Sequence, residues 1–162
     1  MSEAITAILI FVFYIIKTTV AARIGITAVL PDFVMVLVIC YAMWGGREKG
    51  VLMGIAAGIF ADVLSGGFGK FTAVYMFSAA AAGMLGSGLF GKNFVTASII
   101  TLLISIVYGI ISAACVYILK IDNAIGTYII YKVIPFVIYN VICAAVFYPI
   151  IDAAGVSYRR YI

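Results

Sequence analysis

The chain has no histidine, and only 10% of its 162 residues are charged. Its three cysteines, Cys40, Cys115 and Cys143, sit singly inside apolar runs and form no CxxC pair. These absences leave no ligand set for zinc, haem or copper, so no metal or cofactor is expected and the thiols read as buried packing residues. There is no Walker A loop, no GxSxG, no HExxH and no paired-carboxylate motif, and with no activated nucleophile the residues make no case for an enzyme. Charge of neither sign forms a stripe. The ten Lys/Arg against six Asp/Glu give +4, but the basic residues are scattered, which argues against nucleic acid and for membrane topology. Met1-Ser2-Glu3 lacks a basic leader region, so the first apolar stretch is expected to be retained as a spanning helix.

What is present is apolar surface. Hydrophobic residues make up 67% of the chain, against roughly 45–50% in soluble domains. Such a chain cannot cover itself with polar groups and needs lipid as its solvent. A spanning helix takes about 20 mostly apolar residues, so the length accommodates six spans and short loops, with nothing left for a catalytic domain. The fold class expected is all-α: one polytopic membrane domain, residues 1–162, with spans near 4–20, 32–44, 50–64, 71–90, 94–119 and 124–151. The stretch Ile24 to Leu30 reads either as a re-entrant segment or as an interfacial loop. Gly45 to Lys49 and the glycine-rich Ser65 to Lys70 read as loops.

Basic residues in alternate loops set the orientation. Arg47, Lys49, Lys92, Arg159 and Arg160 fall on one side, and Arg23, Lys70 and Lys120 on the other. The bias favours both termini in the cytoplasm. Tyr14, Tyr41, Trp44, Phe71, Phe90, Tyr117, Tyr128 and Tyr148 lie near expected span ends, where an interfacial aromatic belt accounts for them.

Chemistry concentrates in the third span. Gly50, Gly54, Gly58 and Asp62 recur every four residues, along one face of a helix. Small residues at this spacing let another helix approach closely. Ala79, Gly83 and Ser87 repeat the pattern in the fourth span. Asp62 is a carboxylate that lipid alone would not tolerate. It is either wetted near the surface, bound to the amides of Ser65 to Gly69, a contact or switch residue, or part of a proton relay. Lys17, Asp32, Asp62 and Lys132 fall at similar depth, so Lys17 or Lys132 could pair with Asp62, or each lysine could snorkel alone. Pro31 suits a helix first turn, and Asp32 places negative charge at the helix's positive end. Pro135 should kink the last span, with Asn140 bonding to freed backbone groups.

From Pro31 onward the chain resembles the MreD family of bacterial rod shape-determining proteins. The resemblance is carried by Pro31-Asp32, the basic turn Arg47 to Lys49, Gly54-x-x-x-Gly58-x-x-x-Asp62, Ser65-Gly66, Gly69, and the late Pro135 and Asn140. Lys17 and Lys132 depart from the family pattern. The resemblance implies a non-enzymatic scaffold of the cell-elongation machinery in the bacterial cytoplasmic membrane. It implies an MreC-like single-span partner and indirect links to an MreB-like filament, to RodA and its transpeptidase partner, and to peptidoglycan synthesis. It also implies a six-helix bundle similar to the substrate-binding components of energy-coupling-factor vitamin transporters. That transporter class is the alternative function, although its Ala-x-x-x-Ala pattern is missing here: Ala4 is followed by Ile8 and Ala7 by Phe11. An ion or proton channel would need a polar row that the fifth and sixth spans do not supply.

Overall fold

Ten of the thirteen residues in the helix Phe33–Gly45 are buried, and the other helices are arranged around it. The protein, described by a computed structural model over residues 3–24, 29–66, 69–88, 93–118 and 125–159, is built from helices, with no strand among the described residues. In chain order they are α1 (Glu3–Ile24), α2 (Phe33–Gly45), α3 (Arg47–Ser65), α4 (Lys70–Gly88), α5 (Phe94–Ile118), the short α6 (Ile125–Tyr128) and α7 (Ile134–Arg159). A single π-helical turn, Ile129–Val133, joins α6 to α7.

The stretch VMVLVICYAM of α2 is apolar on every side, which is how a helix surrounded by protein reads. α1, α3, α4, α5 and α7 all pack on it. The outer helices instead turn large apolar residues outward. Phe94–Ile118 and Gly126–Ala153 are each long and apolar enough to cross a membrane, and only 28% and 22% of their most apolar stretches are buried. Outward-facing Leu103, Val107, Ile110, Ile118, Ile130 and Ile142 are all more than half exposed, as lipid contact requires and water does not favour.

Several helices run further than the sequence pattern suggests. Arg47, Glu48 and Lys49 are not loop residues but the first turn of α3. The break from α2 is the single residue Gly46, at φ +92°, whose N–H caps α2 on the Ala42 carbonyl. A left-handed glycine reverses the chain in one step where other residues would be strained. The first helix continues past Val20 through Arg23, and the last through Ser157 and Tyr158 to Arg159. Pro31 lies ahead of the helix rather than in its first turn, and Asp32 is the N-cap. The stretch Ile24 to Leu30, apart from its ends, lies outside the described residues. Tyr41 and Tyr148 are 1% and 2% exposed, so they belong to the core and not to an interfacial belt. Of the thiols, Cys40 is buried and Cys143 half-buried, but Cys115 faces outward from α5.

A π turn lies just before Pro135. A proline ring clashes with the carbonyl four residues back and cannot donate to it. Widening the helix by one residue across Ile129–Val133 accommodates that ring and lets Ile134 N–H donate to the Ile129 carbonyl. The helix also contains Pro149.

Candidate functional site

The closest helix contacts lie along the glycines of α3. A Cβ built on Gly50 would overlap Ala42 of α2, and one on Gly58 would overlap the Thr72 backbone of α4. At Gly54 it would lie 2.7 Å from the Tyr75 carbonyl oxygen and 3.2 Å from the Ala79 Cβ. At Gly83 of α4 it would lie 2.5 Å from the Cα of Arg47. Here backbone meets backbone, and no flexible side chain can yield. The glycine face of α3 is therefore directed inward, at α4 and at the end of α2. Ala79 is fully buried in the same seam. The side chain of Ser87 lies outside the described residues.

At the far end of this seam, Asp62 caps its neighbour. One carboxylate oxygen accepts the Phe71 N–H at 2.9 Å; the other accepts the Thr72 N–H at 2.9 Å and the Thr72 hydroxyl at 2.7 Å. The first N–H groups of a helix have no partner within it, and a carboxylate there also meets the positive end of the helix dipole. Among the described residues Asp62 takes the amides of Phe71 and Thr72 and not those of Ser65, Gly66 or Gly69; Gly67 and Phe68 lie outside the described residues. The Gly66 N–H instead closes α3 on the Asp62 carbonyl, with Gly66 at φ +69°. Gly58 is what allows this cap: without a side chain there, Thr72 comes near enough for Asp62 to reach it.

A second polar group lies at the head of α2. Asp32 is 5% exposed. Its carboxylate accepts the Met35 N–H at 3.3 Å and receives the Tyr75 hydroxyl, which is 3.0 and 3.1 Å from its two oxygens. The Asp32 N–H donates to the Asn140 Oδ1 of α7 at 2.9 Å, and Asn140 Nδ2 donates to the Ser105 hydroxyl of α5 at 3.2 Å. One chain of hydrogen bonds thus joins α4, α2, α7 and α5 through the centre of the bundle. Asn140 bonds to the α2 cap, not to backbone freed by Pro135. In low dielectric these bonds are strong, and their loss leaves buried polar atoms bare.

Lys132 does not pair with Asp62. Its amine lies 5.3 Å from the centre of the Tyr128 ring, and the π turn that carries it packs on α5, α6 and α7 but not on α3. Lys17 lies in α1, with its side chain outside the described residues. Tyr75, Ser105 and Thr72 did not stand out in the sequence, because a hydroxyl among apolar residues has no periodic signature. One signal was available: Ala97, Thr101, Ser105, Gly109 and Ala113 recur every four residues and are all buried. A Cβ on Gly109 would overlap the Val133 side chain of the π turn. Among the described residues, two buried hydroxyls have no partner, Thr101 Oγ1 and Tyr148 Oη.

Nearly the whole described bundle falls within one family match: the model of the rod shape-determining protein MreD covers residues 2–153. The chain belongs to the MreD family. It is accordingly a membrane protein with a role in bacterial rod-shape determination. No curated protein and no solved structure matches it. In this MreD chain five of the residues that carry the family resemblance gather in two places. Gly54, Gly58 and Asp62 form the α3–α4 seam, and Asp32 and Asn140 form the central hydrogen-bond chain.

Proposed function

We propose that this MreD-family protein is a non-enzymatic scaffold of the elongation machinery, which holds the membrane segment of an MreC-like single-span partner. Through that partner it acts with an MreB-like filament and with RodA and its transpeptidase in peptidoglycan synthesis. In this reading α1 to α5 and the helix interrupted by the π turn are the six membrane passes, and the distribution of basic loops argues for both termini in the cytoplasm. The observation that carries the reading is the family match over residues 2–153. The architecture is compatible with it. Polar groups are spent on internal caps and on one inter-helix chain, while the outer helices offer apolar surface to the membrane, where association depends on close packing.

The test is a gentle-detergent pull-down of the tagged full chain from its native membrane, with crosslinking and mass spectrometry. Recovery of an MreC-like protein with elongation synthases is the expected result. Recovery of an ATPase pair with a transmembrane coupling subunit would overturn the scaffold and make the chain a solute-uptake component, like the substrate-binding parts of energy-coupling-factor transporters.

A further inference from the structure

The inward stripe of the last helix changes step once. Along α7 the buried positions are Val137, Asn140, Ala144, Tyr148 and Ile151, spaced by three or four residues as on any α-helix. Ahead of them the step is longer. Val133 faces α5, where a Cβ on Gly109 would meet its side chain. The inward residue before it is Tyr128, five positions back, whose hydroxyl lies 3.0 Å from that of Ser112 on α5. The four residues between, Ile129, Ile130, Tyr131 and Lys132, are all exposed. Four outward residues in a row do not fit an α-helix of 3.6 residues per turn with one face packed. They fit a turn closed by an i→i+5 bond, as Ile134 N–H to the Ile129 carbonyl closes this one.

On α5 the receiving residues are Ser105, Gly109 and Ser112, a series within one unbroken helix. They are met by Asn140, Val133 and Tyr128 respectively. Tyr128 and Asn140 are twelve residues apart, which in a continuous α-helix would set them about 120° out of phase. Tyr128 would then face away from Ser112 whenever Asn140 faced Ser105. Absorbing one residue in the π turn leaves eleven α-helical steps and an offset of about 20°. Both ends therefore reach the same face of α5. The Lys132 amine, 5.3 Å from the centre of the Tyr128 ring, lies over that ring once it is seated.

We infer that the π turn is a phasing device of the last helix: its surplus residue brings Tyr128 onto Ser112 while Asn140 stays on Ser105 and on the cap of α2. The contacts at its two ends, and not Pro135, hold the turn in place. Pro135 requires that the helix be widened or bent ahead of it. The phase requires that one residue, no more and no fewer, be absorbed between Tyr128 and Asn140. Latched in this way, the end of the last helix stays with α5 and presents Ile130 and Tyr131, 58% and 71% exposed, to the membrane.

Fluorine NMR of the full chain in micelles, with 3-fluorotyrosine in place of tyrosine and the Tyr128 signal assigned by Tyr128→Phe, reads this contact. Ser112→Ala should shift that signal in the parent. The same response is expected with Pro135→Ala, because the phase still requires the π turn. It is also expected with Pro135→Ala plus deletion of Ile130, because a continuous α-helix then meets both sites. Deletion of Tyr131 in place of Ile130 is a second route to the same helix. Inserting an alanine after Ile130 in the Pro135→Ala chain should abolish the response or the fold, since it turns position 128 about 100° further. A response lost on Pro135→Ala alone would assign the turn to the proline ring. No response in the parent, a response lost in both deletion chains, failure of both to fold, or a response that survives the insertion would show that phase does not govern this end of the helix. Each of these overturns the inference.

Discussion

Replacing Gly54 with alanine adds one methyl group, yet the seam has no room for it. The new Cβ would lie 2.7 Å from the Tyr75 carbonyl oxygen, 3.0 Å from its carbon and 3.2 Å from the Ala79 Cβ. Optimal non-bonded contact is about 3.5–4.0 Å, so α4 must retreat by roughly 1 Å. Inserting a methyl into a packed core typically costs about 1–3 kcal/mol. The upper half of that range applies here, because the obstructing atoms are backbone and Tyr75 also holds Asp32. A shift of about 1 Å would stretch the 3.0 and 3.1 Å contacts from the Tyr75 hydroxyl beyond useful hydrogen-bond length. The expected loss is therefore about 2–3 kcal/mol, measured by reversible SDS titration of the purified protein in mixed micelles. Ala56→Leu, on the exposed face of the same helix, serves as the control and should change stability by less than about 0.5 kcal/mol. Adding Ala79→Gly to Gly54→Ala should restore little, since it removes the 3.2 Å contact and leaves the 2.7 Å one. A Gly54→Ala protein within about 0.5 kcal/mol of the parent, or full rescue by Ala79→Gly, would refute the claim that backbone against backbone sets this spacing.

Three further outcomes follow from the polar contacts. Asp62→Ala removes both acceptors from the first turn of α4 and should destabilise by about 1–3 kcal/mol; the same titration measures it, and a neutral result would show that the cap is replaceable by water. Tyr75→Phe keeps the ring but withdraws the hydroxyl from the Asp32 carboxylate, for an expected loss of about 1–3 kcal/mol. Combining it with Asn140→Ala should be non-additive, because both act on one hydrogen-bond chain. Thr101→Val should be neutral or slightly stabilising, since the Thr101 hydroxyl is fully buried without a partner. A loss above about 1 kcal/mol would mean that the hydroxyl is satisfied in the folded protein by a bound water.

Much of the helical order was legible before the structure, and the reasons are local. The run Phe94 to Leu119 is too long and too apolar for anything but a helix, and the four-residue glycine spacing of α3 requires a close neighbour. What the neighbour is was not legible. Asp62 and Thr72 meet because Gly58 lets α4 come close to α3, and no periodicity encodes which amide a carboxylate will cap. The basic run Arg47 to Lys49 was read as a loop because charge usually marks one. A single glycine at φ +92° does the reversing, which leaves the charged residues free to form the first, water-facing turn of a helix. Asp32 was recognised as favourable at a helix start, but its role at the centre depends on Tyr75, Asn140 and Ser105, which are 43, 108 and 73 positions away. Pro135 signalled a disturbance, yet not its form. The one-residue widening ahead of it relieves the clash of its ring, and that turn packs against Gly109 on the adjacent helix.

The helix α2 is about 20 Å long by its 13 residues, shorter than the roughly 30 Å hydrocarbon layer, and ten of those residues touch only protein. A helix exposed to lipid answers a thicker or thinner bilayer by tilting. The central one has almost no lipid surface through which that force could act. Membrane thickness therefore acts on the outer helices, and reaches α2 only through their packing and the hydrogen bonds from Ser105 through Asn140 to Asp32.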